Sequence, residues 1–355
     1  IKRIMAYTTV NKSSLHFNTK LYTGTGSTNA ITGVGFQPDW VWIKRREIKD
    51  HNLVDAVRGV QNAIASNTTD AQGTYSNNLS AFGTDGFTLG TGTLVNASGG
   101  TYASWNWKAG GGQGSSNTDG SINTTYTSVN TTSGFSISTY TGTGANATVG
   151  HGLGVAPKMI IIKSTSHTSN WGVYHKSIGA GKMLNLNSSN AEATNNGYFN
   201  STDPTSSVFS LGDEGNDTNG SGKTYVAYCF AEKTGFSKVG IYTGINDVNG
   251  PLIFTGFKPA WLMYKETTSG TSQNWTIVDN KREPNNVMGK LLHPDLTNAE
   301  SDQTGSTAIN IDFLSTGFKV RGSDANINGG SKTYIYFAFA EEPVVGSNNI
   351  PSTAR

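Results

Sequence analysis

The densest group of potentially reactive side chains is an acidic loop at residues 213–217. It holds Asp213, Glu214 and Asp217 with Asn216 between them, in a glycine-bounded segment. Oxygen ligands at this density suit Ca²⁺, although their spacing is not that of an EF-hand. Acid-rich turns without a metal are commoner, so calcium is one of two readings of this loop, and no other cofactor is expected.

The other candidates for catalysis form no recognisable motif. The sequence has no phosphate-binding loop, no Gly-x-Ser-x-Gly turn and no His-Glu-x-x-His. Its six histidines share no spacing, and His151 between glycines reads as a turn residue. Cys229 is the only cysteine, which excludes an intrachain disulfide. A glycosidase needs two carboxylates facing one sugar, and no such pair is indicated. We therefore predict no enzymatic activity.

The amino-acid composition argues against some classes of binding partner. Charged residues make up 14% of the chain and the formal net charge is +2, without a basic stripe, which argues against nucleic acid. The apolar runs are far shorter than the ~20 residues of a membrane helix, so no membrane insertion is expected. The 44 glycines, with much Ser, Thr and Asn, are typical of short strands joined by polar turns. Met5 resembles a start, so the first four residues read as an extension.

One apolar phrase occurs three times and organises the chain. Residues 36–44, 153–163 and 257–265 each place a proline six residues before a lysine. The run between them is short and rich in strand-forming residues, so it predicts a strand covered on both faces. Lysine suits a solvated strand end, and pairing with Glu232 and Glu341 is the expected role of these cations: Lys44, Lys163 and Lys265.

Further repeated phrases divide the chain into three units. We predict an all-β chain of three tandem, jelly-roll-like β-sandwiches at residues 6–109, 121–232 and 235–342, called units 1, 2 and 3. The glycine- and serine-rich residues 110–120 predict a flexible linker, whereas units 2 and 3 follow each other directly. Residues 343–355 form an extended C-terminal tail, which is either disordered or docked on a neighbour in a homo-oligomer.

The closing strand of each unit alternates large and small side chains. Residues 103, 105 and 107 of unit 1 are apolar or aromatic, as are their counterparts in units 2 and 3. These positions share one face, which we predict to be the core of each sandwich. The small residues on the opposite face let another layer approach, and stacked layers lie ~10 Å apart.

Two of the seven tryptophans stand apart from such strands. Trp171 and Trp275 lie in polar segments directly after Asn170 and Asn274. Tryptophan rings stack on sugars and anchor protein contacts, so these four residues predict a ligand or interface site. Burial in the core is the alternative.

These phrases together resemble a family of repeat-containing structural proteins of marine tailed bacteriophages. The resemblance rests on residues 5–13, 22–26, 35–44, 105–110, 151–154 and 157–161 and spans nearly the whole chain. It implies a location on the virion surface, after synthesis in the host cytoplasm, with other virion proteins as partners. It supplies no catalytic or binding residues.

Three functions follow from this sequence. The first is a virion surface protein of the tail-fibre or receptor-binding kind, which contacts a glycan or protein of the host envelope. The second is a capsid or tail decoration protein whose task is assembly. The third, a carbohydrate-active enzyme, has no motif in its favour.

Overall fold

A computed structural model describes residues 8–268, 270, 272–343 and 345. Residues 6 and 7 of the predicted first unit, the predicted extension, and most of the predicted tail lie outside this range. Within it, no helix is long and apolar enough to cross a membrane.

Almost all of the regular secondary structure in the described chain consists of short strands. Unit 1 contains a 3-10 turn (Ser13–Leu15), β1 (Phe17–Thr23), β2 (Asn29–Thr32), β3 (Trp40–Arg45), β4 (His51–Asp55), β5 (Asn62–Ile64), β6 (Gly73–Thr74), β7 (Leu79–Gly83), β8 (Gly86–Leu89), α1 (Thr93–Asn96) and β9 (Thr101–Trp107). Unit 2 contains β10 (Tyr126–Asn130), β11 (Phe135–Thr141), β12 (Ala147–Gly150), β13 (Met159–Ser164), β14 (Gly172–His175), β15 (Lys182–Asn185), β16 (Ala193–Thr194), α2 (Asn196–Phe199), β17 (Val208–Leu211) and β18 (Thr224–Phe230). Unit 3 contains β19 (Ser237–Thr243), β20 (Leu252–Phe254), β21 (Pro259–Glu266), β22 (Thr276–Asp279), β23 (Lys290–Leu291), β24 (Ser301–Asp302), β25 (Ile311–Leu314), β26 (Gly317–Val320) and β27 (Thr333–Ala340).

Each unit pairs a large sheet with a small one. The large sheets have the orders β1-β9-β3-β4-β5-β6, β10-β11-β18-β13-β14-β15-β16 and β19-β27-β21-β22. The small sheets are β2-β8-β7, β12-β17 and β20-β26-β25, with β23-β24 as an extra pair in unit 3. In every unit the closing strand lies in the middle of the large sheet: β9 between β1 and β3, β18 between β11 and β13, and β27 between β19 and β21. The strands β3, β13 and β21 carry the apolar run of the repeated proline phrase and are called the proline strands. The predicted all-β fold of packed sheets is confirmed.

The strand registers define which residues are equivalent. Trp40 of β3, Met159 of β13 and Trp261 of β21 occupy one position, because each pairs with the same place on the closing strand. That place is held by Trp107, Phe230 and Phe339. The three units therefore repeat one pattern residue by residue, although their side chains differ.

The large sheets are buried on both faces, as the proline phrases predict. In unit 1, Val41 and Ile43 pack toward the small sheet with Phe87. Trp40 and Trp42 point the other way, into a cluster that draws on all three units. Units 2 and 3 have cores of their own on the corresponding side.

The closing strands therefore serve a different core from the one expected. Their alternating aromatic residues do not fill the separate sandwiches but meet in one central core shared by the units. Its rings include Trp40, Trp107, Phe135, Phe230, Trp261 and Phe339. The expectation is wrong because alternation shows which residues share a face, whereas the shape and size of aromatic rings let three such faces close on each other.

The segment at residues 110–120 does not have the freedom expected of a linker. Gly111 N donates to Oδ2 of Asp39 at 2.9 Å, and Gly110 N donates to Oγ of Ser128 at 3.0 Å. Nε2 of Gln113 donates to the carbonyl of Val57 at 3.2 Å. These bonds fasten the segment to unit 1 and to unit 2. The three units also share a core. That the predicted boundaries separate independent domains therefore stays a prediction.

Candidate interaction surface

The structure places both predicted tryptophans inside the molecule. Trp171 and Trp275 are 0% and 1% exposed, within the central core. Nε1 of Trp171 in unit 2 donates to the carbonyl of Ala65 in unit 1 at 2.9 Å. Nε1 of Trp275 in unit 3 donates to the carbonyl of Asn185 in unit 2 at 3.0 Å. Neither ring face is open to a ligand, and the interface that these rings form is internal.

His51 completes this set in unit 1. By strand register, His51 at the start of β4 occupies the position that Trp171 holds just before β14 and Trp275 holds just before β22. Nε1 of Trp42 donates to its Nδ1 at 2.8 Å, so Nε2 carries the proton and faces the carbonyl of His293 in unit 3 at 2.9 Å. Burial holds the pKa of His51 well below its usual range, which keeps the ring neutral. Each unit thus bonds to the next around a pseudo-three-fold arrangement.

We expect Trp171→Phe to destabilise the chain without any effect on ligand binding. Phenylalanine keeps most of the ring packing but leaves the half-buried carbonyl of Ala65 without its donor. An unsatisfied buried acceptor costs ~1–3 kcal/mol in the free energy of unfolding. Urea denaturation measures this change. A loss of affinity for host glycans with unchanged stability would instead restore the predicted exposed site.

The predicted asparagines are half-buried in the same loops. Asn170 N donates to Oδ1 of Asp217 at 2.7 Å, and its Nδ2 donates to Oδ2 at 3.1 Å. Asn274 is likewise half-buried beside Trp275. The amide of Asn170 therefore holds its loop against Asp217 beside Trp171.

The acidic loop is also occupied by contacts within the protein. Glu214 accepts hydrogen bonds from the backbone N of Asp217 at 2.6 Å and of Thr218 at 3.1 Å. Asp217 is buried and accepts from Asn170 and from the hydroxyl of Tyr198, whereas Asp213 is exposed. In the described part of the chain, no three His, Cys, Asp or Glu side chains are grouped to hold a metal. Calcium at this loop stays a prediction.

The three recurring lysines are buried, contrary to the expectation of solvated strand ends. Each ammonium bonds to carbonyls, including one from a neighbouring unit. Lys44 reaches Thr297 of unit 3 at 3.4 Å, Lys163 reaches Thr69 of unit 1 at 3.2 Å, and Lys265 reaches Ser189 of unit 2 at 3.0 Å. The glutamates predicted as partners pair elsewhere, Glu232 with Lys238 and Glu341 with Lys258. The three lysine side chains lie inside the molecule because loop carbonyls of a neighbouring unit accept hydrogen bonds from their ammonium groups.

Stability should therefore rise with pH in the mildly alkaline range. Burial lowers the pKa of Lys44, Lys163 and Lys265 to about 8. Unfolded lysines hold their protons until ~10.4, so above pH ~8 the unfolded chain binds more protons than the folded one. The free energy of unfolding then increases with pH. Urea midpoints at about pH 7.5 and about pH 9 measure the effect.

Lys163→Met provides the control for this prediction. It removes one of the three ammonium groups and should reduce the rise in midpoint. A midpoint that falls or stays level in the parent chain over this range contradicts the burial of charged lysines.

Several of the large apolar side chains that are exposed among the described residues belong to unit 3. Ile241 of β19 is 47% exposed, Leu252 of β20 is 63% exposed and Phe254 of β20 is 71% exposed. Ile245 and Val248, in the loop between these strands, are also exposed. Both β19 and β20 are edge strands of their sheets. These five residues and two strand edges are called the unit 3 edge. Leu252 and Phe254 point away from buried Ile253, whereas Ile241 lies on the face of the large sheet that carries Ile335.

A groove continues this surface toward unit 2. It has a volume of about 480 Å³ and lies between Val155 and Lys158 of unit 2 and Lys238 and Phe254 of unit 3. Val155 is half-exposed. Charged and apolar side chains line the groove side by side, which suits a peptide better than a small apolar ligand. The sequence analysis missed this surface because Leu252 to Phe254 reads as an ordinary buried strand.

The fold defines an all-β protein of three packed, equivalent units. Comparison with known protein families identifies the family of the chain. Over residues 12–343 the chain matches the family described as "Domain of unknown function (DUF7483)", and it belongs to that family. The match covers all three units together. No curated protein and no solved structure matches the chain.

Proposed function

We propose that this chain is a structural subunit of a bacteriophage virion surface and that it serves in attachment to the host envelope. The resemblance of its phrases to structural proteins of tailed phages motivates the virion location. The observation that carries a binding role is the unit 3 edge, where Leu252 and Phe254 expose neighbouring apolar side chains on one face of the edge strand β20. Exposed apolar patches of this kind mark interaction sites in soluble proteins.

The shared core supports the same proposal. A virion surface protein must survive outside the cell, and Cys229 alone forms no disulfide within the chain. The aromatic rings of the central core supply cohesion between the units in its place. A body held in this way presents its edge in a fixed orientation.

Adsorption tests the attachment role. Purified protein added to host cells should reduce adsorption of the phage that encodes it, and antibodies to the protein should label the tail. As a matched pair, Phe254→Asp alters the unit 3 edge, whereas Thr32→Asp alters the equivalent position of unit 1. Full adsorption at saturating protein would exclude an attachment role.

Decoration of the capsid or tail is the second candidate. It is favoured by the groove beside Phe254, because a lining that combines charged and apolar side chains suits contact with another protein. Antibody labelling over the capsid, without competition for adsorption, would establish it. Depolymerisation of host polysaccharide by the purified chain would instead establish the enzyme alternative, which no described cluster favours.

A further inference from the structure

Two adjoining cavities lie in unit 1, on the side of β4 and α1. The inner cavity has a volume of about 80 Å³, and its lining includes Asn52 of β4, Ala65 and Leu94 of α1. The outer cavity has a volume of about 450 Å³ and is lined by residues 74–78 and 92–94. Tyr75 and Leu94 line both cavities, so the two form one continuous site.

The equivalent positions of units 2 and 3 show what occupies the same space there. Asn52 follows His51, whose counterparts are aligned by the register of β4, β14 and β22. Ala65 lies one residue beyond the strand that pairs with β4, and its carbonyl accepts from another unit, as the carbonyls of its counterparts do. Leu94 lies two residues before Asn96, whose Oδ1 accepts from the backbone N after the Tyr-Thr-Gly phrase in each unit. The counterparts in units 2 and 3 are Gly172 and Thr276 for Asn52, Asn185 and His293 for Ala65, and Asp217 and Asn326 for Leu94.

In unit 2 the aromatic ring of Tyr198 fills this space. Its hydroxyl donates to Oδ1 of Asn185 at 3.2 Å and also bonds to the carboxylate of Asp217. A Cβ atom added to Gly172 would lie 3.2 Å from Cδ1 of the ring, so the ring packs on this glycine. All three contacts of Tyr198 are thus made with counterparts of residues that line the inner cavity of unit 1.

In unit 3 the three side chains fill the space by bonding to one another. Oγ1 of Thr276 lies 3.3 Å from Nδ1 of His293 and accepts from Nδ2 of Asn326 at 3.4 Å. Unit 1 has neither arrangement, because Ala65 is small and Leu94 has no polar group. The inner cavity is therefore a space that the other two units fill with their own side chains.

A buried amide without a partner lines each cavity. Asn52 is 2% exposed and lines the inner cavity, and its Oδ1 has no hydrogen-bond partner among the described residues. Asn78 is 5% exposed and lines the outer cavity, and its Nδ2 likewise has no partner in the described chain. By strand register and loop length, Asn78 holds the position of Tyr198. Buried polar groups are normally paired, so two unpaired amides here indicate a polar ligand.

The rest of the lining indicates the class of ligand. Tyr75 is 47% exposed and offers a ring on which a sugar stacks. The carboxylates of Asp50 and Asp70 line the inner cavity and accept hydrogen bonds from hydroxyl groups. No lysine or arginine is among the described residues that line either cavity, so an anionic ligand would meet like charge. Further hydroxyls and amides line the outer cavity: Thr74, Ser76, Asn77 and Thr93.

We propose that these two cavities of unit 1 form a binding site for a neutral saccharide. An exocyclic group of the sugar enters the inner cavity, which has room for several waters, and bonds to the amide of Asn52. A sugar ring lies in the outer cavity against Tyr75, and its hydroxyls bond to Asn78 and the neighbouring polar side chains.

The site is fixed in place by the neighbouring units. The carbonyl of Ala65 accepts from Nε1 of Trp171 at 2.9 Å, and the hydroxyl of Ser66 donates to the carbonyl of Pro294 at 2.7 Å. The backbone N of Gln72 donates to a carbonyl of unit 2 at 3.0 Å. Because the loop is held before any ligand arrives, little conformational entropy is lost on binding.

An array of neutral and anionic oligosaccharides, probed with the full chain, gives the first test. We expect binding to neutral glycans without any requirement for a carboxylate or sulfate group. The best neutral oligosaccharide is then titrated by calorimetry, where Tyr75→Ala should weaken the affinity about tenfold. Tyr126 is 36% exposed on unit 2 and lines neither cavity, so Tyr126→Ala should leave the affinity unchanged. No binding on the array, binding to anionic glycans only, or an affinity that Tyr75→Ala leaves unchanged overturns the proposal.

A variant that fills the inner cavity gives the second test. Asn52→Thr combined with Ala65→His places in unit 1 the two side chains that bond to each other in unit 3. We expect this variant to stay folded by circular dichroism and to lose saccharide binding in the same titration. Leu94→Trp, which fills the cavity from α1, replaces it where the double variant is unfolded. Undiminished binding by a folded filling variant overturns the assignment of the site.

This inference deepens the proposed attachment role, by naming the chemistry of a receptor, and rests on it only for its biological use. Saccharide binding by a chain that does not compete for adsorption would refute attachment and leave the site established. Competition for adsorption that Tyr75→Ala leaves undiminished would support attachment and refute this site as its receptor contact.

Discussion

Arg58→Ile is expected to lower the free energy of unfolding by ~3–5 kcal/mol, because it leaves a buried carboxylate without its cation. Nε of Arg58 lies 2.6 Å from Oδ2 of Asp55, and both side chains are almost fully buried. The hydroxyl of Tyr228, from unit 2, donates to the same oxygen at 2.7 Å. Urea denaturation of the variant measures the loss.

The chain contains its own control for this change. At the equivalent place between units 1 and 3, Asp279 pairs with Arg282 and accepts from Nε1 of Trp105 at 3.0 Å. Between units 2 and 3 the same three positions hold no such network: His175, Ile178 and Phe337.

This natural exchange predicts compensation. The triple variant Asp55→His, Arg58→Ile, Tyr228→Phe should be more stable than Arg58→Ile alone, since no unpaired carboxylate remains. The half-exposed pair of Lys258 with Glu341 supplies a surface control, and Lys258→Met should cost under ~1 kcal/mol. Equal losses for the single and triple variants would contradict the argument from the buried charge.

Trp107→Ala, as a separate variant, is expected to lower the free energy of unfolding by ~3–5 kcal/mol, the usual loss for deleting a large buried ring. Trp107 contacts rings from all three units. Its ring centroid lies 4.5 Å from Trp40 of unit 1, 6.4 Å from Phe230 of unit 2 and 5.8 Å from Trp261 of unit 3. Removing it opens a cavity where the units meet.

Trp107→Phe is the matched control. Phenylalanine occupies the equivalent position in units 2 and 3, and Nε1 of Trp107 has no hydrogen-bond partner among the described residues. We expect less than half the loss caused by alanine, measured in the same urea titration. Similar losses for both variants would mean that the cost lies outside the central ring packing.

The sequence predicted the strands well because its signals were local. A proline before an apolar run, and strict alternation in the closing strand, depend on residues within a few positions of one another. Those patterns correctly indicate an all-β fold with proline strands buried on both faces. Which surface each strand face packs against depends on residues that are far apart in the sequence. Nothing local distinguishes an aromatic face that covers its own small sheet from one that meets two other units.

The candidate site shows the same limit. Trp171 and Trp275 have polar neighbours in sequence, and their burial depends on carbonyls of another unit. Their equivalence with His51 becomes visible only when strand pairing aligns β4, β14 and β22. The one signal that could have revealed the unit 3 edge was comparative. Leu252 and Phe254 are large where Thr148 and Gly150 of unit 2 are small or polar.

The central claim is that the three units form one body through a shared aromatic core, and scanning calorimetry of the full chain tests it most directly. The shared core predicts a single unfolding transition whose calorimetric enthalpy matches its van't Hoff enthalpy. Three resolved transitions, or one whose van't Hoff enthalpy is near a third of the calorimetric value, would show instead that the units unfold independently and would contradict this account.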